Sequence, residues 1–440
     1  MKTRAFFPLM ALSAAVILAG CDDTSSIDQD QQIGANPKLP AAQNFLLPPM
    51  KVPKGIGWKE GEKPKVAAGL KIEKVADGFE HPRQLYVLPN GDVLVVESNG
   101  PGDPITQPKQ KVMGWVQNFS GSGGKGGNRI TLLRNPSGDG VTWQKSPFLE
   151  NLHSPFGIQL IGSDLYVANA DSLMKYHYQT GQTKITDPGT ELTELPGGPI
   201  NHHWTKSLLA SPDGKKLYVG VGSNSNITEN GIGAEYRRAN VLEVDVATGA
   251  SRIYASGLRN PTGLQWEPQT GQLWAVANER DEIGADLVPD YLTSVKEGAF
   301  YGWPYSYYGQ HVDKRVQPQR PDLVAKAIKP DYALSSHVAP LALWFYTGTN
   351  LPQEYRGGAF ISEHGSWDRK PLNGYRVAYV TFKDGKPVGL PKPVVTGFLT
   401  DDGSEVHGLP VGLAMDKQGA LLVADDAGNT VWRVTAANAP

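Results

Sequence analysis

PRQLYVLPNGDVLVVES, residues 82–98, contains two short apolar strands that an Asn90-Gly91 turn connects, and the second strand stops at polar residues. An Asn-Gly pair accepts the positive φ angles of a tight hairpin turn, and the flanking residues alternate as half-buried strands do. The same pattern recurs in five later segments, which begin at Pro155, Thr205, Pro261, Pro340 and Pro410. Six hairpins in one chain exclude a helical solenoid and predict an all-β, six-bladed β-propeller.

Polar residues follow the second strand of every repeat. Equivalent positions of successive blades surround one axis, so we expect these residues to converge on one mouth of the central channel. They are Glu97, Asn169, Ser223-Asn224, Asn278-Glu279, Glu363-His364 and Asp425-Asp426.

Two insertions lie between the repeats, where a rigid scaffold commonly carries functional residues. Residues 121–128 are rich in glycine and contain one lysine, but they lack the spacing of a phosphate-binding loop and predict a flexible loop. Residues 298–312 contain four tyrosines and one tryptophan, which either stack on a sugar or pack between blades.

The N-terminus has the pattern of a lipoprotein signal peptide. Lys2 and Arg4 precede an apolar run over residues 5–19, and Cys21 follows a Leu-Ala-Gly box. The run is shorter than the ~20 residues that span a bilayer. We therefore expect a signal peptide over residues 1–20, a lipidated cysteine and tether over 21–65, and the propeller over 66–440. These features predict a periplasm-facing lipoprotein anchored through Cys21, and Asp22 indicates retention at the inner membrane.

Composition narrows the chemistry and the partners. Cys21 is the only cysteine among 440 residues, so its lipidation excludes disulfides and thiolate chemistry from the mature domain. The net charge is −2 and charged residues are interspersed, which argues against nucleic acid as a partner and leaves the lipid anchor as the only membrane contact.

Three polar segments could carry chemistry at the channel mouth. His202-His203 precedes the third repeat, where a neutral imidazole could remove a hydroxyl proton near pH 7. Arg259 opens the fourth repeat in the equivalent place and could stabilise an anion. Residues 278–282, Asn-Glu-Arg-Asp-Glu, offer several oxygens to a hard cation such as Ca²⁺.

Six segments of the chain occur in the order and spacing of a known family. They are HHWTKSLLASPDGKKLYVGVGSNSN (202–226), SGLRNPTGL (256–264), NERDEIGADLVPDYL (278–292), FYGWPYSYYGQHV (300–312), HVAPLALWFYTG (337–348) and SEHGSWDRKPLNGYRV (362–377). Together they resemble the pyrroloquinoline-quinone-dependent sugar dehydrogenases, in particular the sorbosone dehydrogenase branch. The similarity covers residues 72–434.

This resemblance implies a six-bladed propeller that holds the quinone with Ca²⁺ over the channel mouth. It implies that the second of the two histidines, His203, is the general base. It places the cofactor-binding pair on Arg259 and Asn260, where Arg259 balances charge on the quinone oxygen. The Ca²⁺-binding turn falls on Asp281 and Glu282, through their backbone carbonyls.

The chain departs from the family pattern at several positions. Ser223 stands where the glucose-oxidising members have an acid that orients the base, which leaves Asn224 as a candidate partner. Arg369 and Lys370 are the nearest basic candidates for the quinone carboxylates, and Leu409 occupies a position where an arginine is expected.

The sequence thus predicts a quinone- and Ca²⁺-dependent dehydrogenase that oxidises a sugar or sugar aldehyde and passes electrons to an acceptor. Two alternatives remain. A Ca²⁺-dependent sugar lactonase would hold an axial metal with Glu97, Asn169, Asn224 and Asp425. A non-catalytic propeller that binds a partner or glycan is favoured by the missing acid at Ser223.

Overall fold

The computed structural model describes residues 24–43, 50–102, 104 and 108–439. The predicted signal peptide, Cys21 and Asp22 lie outside these residues. The strands form six antiparallel blades of four or five strands each. The innermost strands of successive blades contact one another around a closed ring, so the predicted six-bladed β-propeller is confirmed.

The elements outside the main blades are short. The N-terminal strands are β1 (Ile33–Gly34), β2 (Lys54–Gly55), β3 (Lys65–Val66) and β4 (Leu70–Asp77). The helices are α1 (Pro108–Ser120) and α2 (Pro321–Val324), and 3-10 turns cover Gln29–Gln32, Ile232–Glu235 and Gln353–Tyr355. Neither α-helix of the described chain has the length and apolar character needed to cross a membrane.

The first three blades follow one another along the chain, and each is an antiparallel sheet of four consecutive strands. Blade 1 contains β5 (Pro82–Val87), β6 (Val93–Glu97), β7 (Arg129–Arg134) and β8 (Gln144–Leu149). Blade 2 contains β9 (Gly157–Ile161), β10 (Asp164–Ala168), β11 (Ser172–His177) and β12 (Thr190–Glu194). Blade 3 contains β13 (Lys206–Ala210), β14 (Lys216–Val221), β15 (Asn240–Asp245) and β16 (Ser251–Ser256).

The last three blades each include one N-terminal strand. Blade 4 contains β17 (Asn260–Trp266), β18 (Leu273–Asn278), β19 (Pro289–Ser294), β22 (Tyr332–Ser336) and β1, and its insertion forms the pair β20 (Ser306–Tyr307) and β21 (His311–Val312). Blade 5 contains β23 (Pro340–Phe345), β24 (Ala359–Glu363), β25 (Arg376–Lys383), β26 (Lys386–Thr396) and β3. Strand β27 (Glu405–Val406) pairs with β2, and blade 6 contains β28 (Pro410–Met415), β29 (Leu421–Asp425), β30 (Thr430–Ala436) and β4.

The six predicted hairpins are the two inner strands of the six blades. The turn glycine Gly91 has a φ of 95°, as the Asn-Gly signal requires. All five residues of β6 are buried, because this strand packs against neighbouring blades on both faces. Leu94 and Val96, for example, belong to one core cluster with Leu165 and Val167 of blade 2. Burial on both faces explains the near-continuous apolar runs.

Strand β4 closes the ring by pairing with the last strand of the chain. Its residues Leu70 to Asp77 pair antiparallel with β30, and Ile72 lies opposite Val434. Blade 6 is therefore built from both ends of the described chain.

The segment predicted as a tether packs on the propeller over its described part. Ile33 pairs with Leu334 of blade 4, and Lys65 pairs with Thr396 of blade 5. The Gln32 side chain is completely buried. The segment is therefore part of the folded domain, whereas a free tether was expected. It packs there because the outer edge strands of blades 4 and 5 have backbone groups that its strands can pair with.

The aromatic insertion of blade 4 packs internally, which decides between its two interpretations. Its four tyrosines and its tryptophan are at least nine-tenths buried. The Tyr301 hydroxyl donates to the Ser294 carbonyl at 2.5 Å, and the Trp303 indole donates to the Asn226 carbonyl at 3.2 Å. These rings stabilise the blade and support the cavity from behind.

Candidate active site

A cavity of about 290 Å³ lies at one end of the central channel. At this end the innermost strand of each blade begins and the second strand of each blade ends. Its volume is at the lower end of the ~300–1,000 Å³ range of small-molecule pockets. Part of the predicted polar ring lines it, namely Asn278, Glu279 and His364. The strand beginnings contribute Arg83, Arg259 and Ala339.

The axial metal set of the lactonase alternative is not assembled among the described residues. The Glu97 carboxylate is bound by Arg129 at 2.8 Å. Asp425 accepts the Trp58 indole N–H at 2.6 Å, and the Asn224 amide donates to a backbone carbonyl at 2.5 Å. These side chains stabilise individual blades.

Helix α1 and a piece of the N-terminal segment cover part of the cavity. Val116, Gln117 and Ser120 of α1 line it, together with Ser122 of the glycine-rich loop and Pro53. The sequence pattern did not predict α1, although the loop that follows it was identified as an insertion. The insertion of blade 1 therefore supplies polar side chains opposite the strand ends.

His203 lines the cavity with its ring in a defined orientation. Its Nδ1 lies 3.0 Å from the Ser223 carbonyl oxygen and 2.9 Å from Ser223 Oγ. Ser223 Oγ itself donates to the Ser225 carbonyl at 2.6 Å, so it accepts from the imidazole. Nδ1 therefore carries the proton, and Nε2 keeps the lone pair that a general base needs. Ser223, rather than the expected Asn224, is the partner of the base.

The surroundings keep His203 neutral. Burial lowers the pKa of the imidazole well below 6.5, and the positive charge of Arg259 and the neighbouring His202 lower it further. The Ser223 carbonyl opposes this effect only in part. A base with a lowered pKa is available for proton removal at neutral pH.

Arg259 is buried and fixed by four contacts. Its Nη1 donates to the Glu279 carbonyl at 2.6 Å, and its Nε and Nη2 donate to the Asn226 carbonyl and side chain at 3.2 and 2.9 Å. Its Nη2 also lies 3.2 Å from Asp281 Oδ2. The guanidinium is thus oriented before any ligand binds.

Gly222 packs tightly between His203 and Asn260. A Cβ at this glycine would lie 2.4 Å from both His203 Cβ and Asn260 Oδ1. The neighbouring Ser223 N–H donates to the Arg259 carbonyl at 2.8 Å. The imidazole of blade 3 and the guanidinium of blade 4 therefore face the same cavity, as the sequence predicted. Asn260 Oδ1 is buried and accepts no hydrogen bond from the described chain.

Two lining residues that the sequence did not single out, His337 and Asp368, meet Asp281 on one wall. His337 Nδ1 lies 3.2 Å from Asp368 Oδ1 and 3.4 Å from Asp281 Oδ1. Burial favours the neutral imidazole of His337. The negative charges of Asp368 and Asp281 have the larger effect and raise the pKa of His337 to about 10. His337 precedes the fifth repeat as His203 precedes the third, and this shared position is the signal that could have identified it.

Arg83 is a second basic residue that the sequence did not single out. Its Nη1 pairs with buried Asp426, and its guanidinium lies 5.7 Å from the centre of the Trp204 ring. Its Nε is buried and has no hydrogen-bond partner among the described residues. Arg83 is the second residue of β5, whereas Arg259 directly precedes β17, so the two guanidiniums come from different positions at the starts of their blades.

Comparisons with known proteins find similar sequences and similar folds. A family model described as glucose/sorbosone dehydrogenase matches residues 163–367, and a TrAA12-like model matches residues 310–437. The pyrroloquinoline quinone-dependent sugar dehydrogenase of Hypocrea jecorina is 22% identical over 418 residues, which cover 84% of this chain and 88% of that protein. Over these residues the chain is similar to the glucose/sorbosone dehydrogenases.

An uncharacterized protein of Borreliella burgdorferi is 27% identical over 65% of this chain and 76% of its own length. The holo form of the quinone domain of the Coprinopsis cinerea pyranose dehydrogenase superposes with a TM-score of 0.68 at 19% identity. The superposition covers 88% of this chain and all of that domain. The named glucose/sorbosone dehydrogenase relatives are sugar dehydrogenases, which supports an oxidoreductase, and the structural likeness supports the shared fold.

The expectation that Arg369 and Lys370 bind the quinone carboxylates requires correction. Neither residue belongs to the described lining of the cavity. The Arg369 guanidinium donates to Gln32 Oε1 at 3.0 Å and to Ser25 Oγ at 2.9 Å, and it lies 3.7 Å from Asp286. Its charge therefore holds the N-terminal segment in place, which sequence spacing alone could not show.

The cavity fits the planar, carboxylate-bearing quinone of the glucose/sorbosone dehydrogenases. Arg83 offers a buried donor without a partner among the described residues, and Arg259 offers a second positive charge. The flat side chains of Trp204, Trp367 and Tyr375 line the cavity. Leu409 also lines it and is apolar, so Arg83 is the candidate for the carboxylate contact in place of the expected arginine.

The Ca²⁺-binding turn of this family does not fit in its backbone form. The Asp281 carbonyl accepts from Asn226 and from the Arg315 guanidinium, both at 3.3 Å. A guanidinium at that distance disfavours a cation on the same oxygen. Glu282 is absent from the described cavity lining, whereas the Asp281 side chain faces the cavity.

Proposed function

We propose that this chain is a pyrroloquinoline-quinone-dependent dehydrogenase that oxidises a sugar or a sugar aldehyde. One observation carries the proposal. A neutral, oriented imidazole at His203 and a fixed guanidinium at Arg259 face one cavity on a propeller whose named relatives are sugar dehydrogenases.

The residues of the chain have distinct roles in this reaction. His203 Nε2 takes the hydroxyl proton of the substrate, while Ser223 holds Nδ1–H and keeps the ring in its productive tautomer. Arg259 stabilises negative charge that develops beside it. A bound quinone supplies the acceptor for the hydride that leaves the carbinol carbon.

The remaining lining residues divide between cofactor and substrate. Arg83 and the ring of Trp204 would hold the carboxylate-bearing edge and the plane of the quinone. The polar side chains of Gln117, Ser120 and Ser122 lie on the covering side of the cavity, where they could hydrogen-bond sugar hydroxyls. Because the backbone carbonyl site for Ca²⁺ does not fit, no step of this reaction depends on it.

We also propose that the enzyme works at a membrane surface facing the periplasm. The support is the signal-peptide pattern of residues 1–20, which Cys21 follows, and the acidic residue at Asp22. Electrons would pass from the reduced cofactor to an acceptor in that compartment, and the lipid would be the membrane contact.

The deciding experiment is reconstitution of the signal-free protein with pyrroloquinoline quinone, in parallel with and without Ca²⁺. Dye-linked oxidation of a panel of aldoses and sugar aldehydes then measures activity. We expect stoichiometric quinone binding and dye reduction with at least one sugar. A protein that binds no quinone and reduces no dye with any member of the panel would overturn the proposal.

A further inference from the structure

We propose that Asp281, His337 and Asp368 form a side-chain site for one divalent first-row transition metal on the cavity wall. Their three candidate ligand atoms lie within 4.8 Å of one another. They are the single group of this kind among the described residues. The site takes the place of the backbone-carbonyl Ca²⁺ turn, which does not fit this chain.

The first argument is the orientation of His337. Its Nε2 lies 3.1 Å from the Gly284 carbonyl oxygen, which can only accept, so Nε2 carries a proton. Nδ1 is then the atom that faces both carboxylates. Metal-binding histidines are commonly oriented in this way, by a backbone carbonyl that accepts from the second ring nitrogen.

The second argument is an unsatisfied oxygen. Asp368 is 3% exposed, and its Oδ1 accepts no hydrogen bond from any described residue. That same oxygen lies 3.2 Å from His337 Nδ1. A buried carboxylate oxygen needs a cation beside it, and this one is served either by the protonated His337 ring or by a metal ion that replaces the proton on Nδ1.

The spacing of the ligand atoms is the third argument. Metal bonds of about 2.1 Å place neighbouring ligand atoms about 3.0 Å apart in octahedral and about 3.4 Å apart in tetrahedral coordination. The observed separations from His337 Nδ1 are 3.2 and 3.4 Å. Two of the three ligand separations therefore already match metal coordination, and the third is at most 4.8 Å.

The donor set indicates the kind of metal. Ca²⁺ prefers six to eight oxygens, whereas an imidazole with two carboxylates suits Zn²⁺, Mn²⁺ or Fe²⁺. Arg259 binds Asp281 Oδ2 at 3.2 Å, which leaves Oδ1 for the metal. Three protein ligands leave open positions toward the cavity, where an oxygen of water or of a sugar can bind.

Metal titration of the quinone-free protein tests this site independently of the proposed dehydrogenase activity. Zn²⁺ is followed by calorimetry after dialysis against chelator, and Co²⁺ by its visible absorption. We expect one equivalent to bind. His337→Gln and Asp368→Asn should each weaken binding by more than the ~10- to 100-fold that loss of an outer-sphere partner causes.

The matched control is His153→Gln. His153 Nδ1 lies 2.9 Å from Asp171 in an exposed pair, so this variant should bind the metal as the wild type does. Failure of the wild type to bind an equivalent of Zn²⁺ or Co²⁺ overturns the proposal, as does unchanged binding in folded His337→Gln.

X-ray absorption of the Zn²⁺-loaded wild type provides a test that needs no variant. One imidazole in the first coordination sphere supports the site. A sphere without imidazole overturns it and leaves His337 as an imidazolium held between two carboxylates.

Discussion

His203 Nδ1 lies 2.9 Å from Ser223 Oγ and 3.0 Å from the Ser223 carbonyl oxygen. The same serine donates its backbone N–H to the Arg259 carbonyl at 2.8 Å. One residue therefore orients the base and links it to the guanidinium of the next blade. A serine can replace the expected acid here because the backbone carbonyl, which only accepts, already selects the tautomer.

Replacement of the base should abolish most of the turnover. We expect His203→Ala to lower kcat of the reconstituted enzyme by ~10²- to 10⁴-fold, the range for loss of a general base. His202→Ala should have a much smaller effect because the two contacts that fix the His203 tautomer come from Ser223. Steady-state dye reduction measures both variants, and equal losses would show that the base is assigned wrongly.

The pH profile should report the lowered pKa of His203. The base acts when neutral, above its pKa, and burial and then Arg259 hold that pKa well below 6.5. The plateau of kcat/KM should therefore extend below pH 6.5 and decline only as the pH falls through the lowered value. Arg259→Gln removes the positive neighbour, so its acid limb should move to higher pH. An acid limb that stays in place or moves lower would contradict this electrostatic assignment.

Arg83 should bind the quinone carboxylate. Loss of a hydrogen bond to a charged group costs about 1.5–3 kcal/mol, so Arg83→Gln should weaken quinone binding by about 10- to 100-fold. Equilibrium dialysis of the quinone measures this loss. The control is Arg134→Gln, since Arg134 pairs with Asp92 away from the cavity at 2.5 Å. An unchanged dissociation constant in Arg83→Gln would exclude the contact.

Arg369 should contribute to stability rather than to cofactor binding. Arg369→Met removes one partner of a buried charge contact with Asp286 and should lower the free energy of unfolding by about 3–5 kcal/mol. Arg320→Met breaks an exposed pair with Asp322, which water and salt screen, and should change the free energy of unfolding far less. Urea unfolding measures both, and quinone dialysis should show no change. Weaker quinone binding at unchanged stability would restore the cofactor role.

Asp290 should make the protein less stable as the pH rises from about 4 to 7. Burial raises the pKa of this carboxyl from 3.8 to about 7, so the folded state binds the proton more tightly than the unfolded state. The stability it contributes is present below pH 3.8 and is lost as the pH rises through about 7, by up to about 4 kcal/mol. Asp290→Asn should flatten this slope, measured as unfolding free energy at each pH. A slope equal to that of the wild type would contradict the raised pKa.

Sequence reasoning reached the fold through particular residues. Turn residues such as Asn90-Gly91 and strands buried on both faces leave a strong local signal, which is why all six inner hairpins were predicted. The outer strands were not, because they are half exposed and alternate less clearly. Helix α1 was not predicted either, because its sequence has no long amphipathic pattern.

The site was predicted only in part. His203 and Arg259 could be proposed because each opens a repeat, and repeats place equivalent residues around one axis. Arg369 was misjudged because its basic charge is visible in the sequence, whereas its contacts with the N-terminal segment depend on the folded chain. The tether was misjudged for the same reason.

The sequence by itself determined the six hairpins and the ring of six blades. It also identified His203 and Arg259, which precede the first strands of blades 3 and 4 and line one cavity. These follow from periodicity and turn chemistry, which act between near neighbours in the chain. Only the tertiary structure decided that Ser223 contacts His203 Nδ1, that Arg83 Nε is buried without a partner among the described residues and that Asp281, His337 and Asp368 meet. Such contacts join residues up to 87 positions apart, and their formation depends on the packing of whole blades.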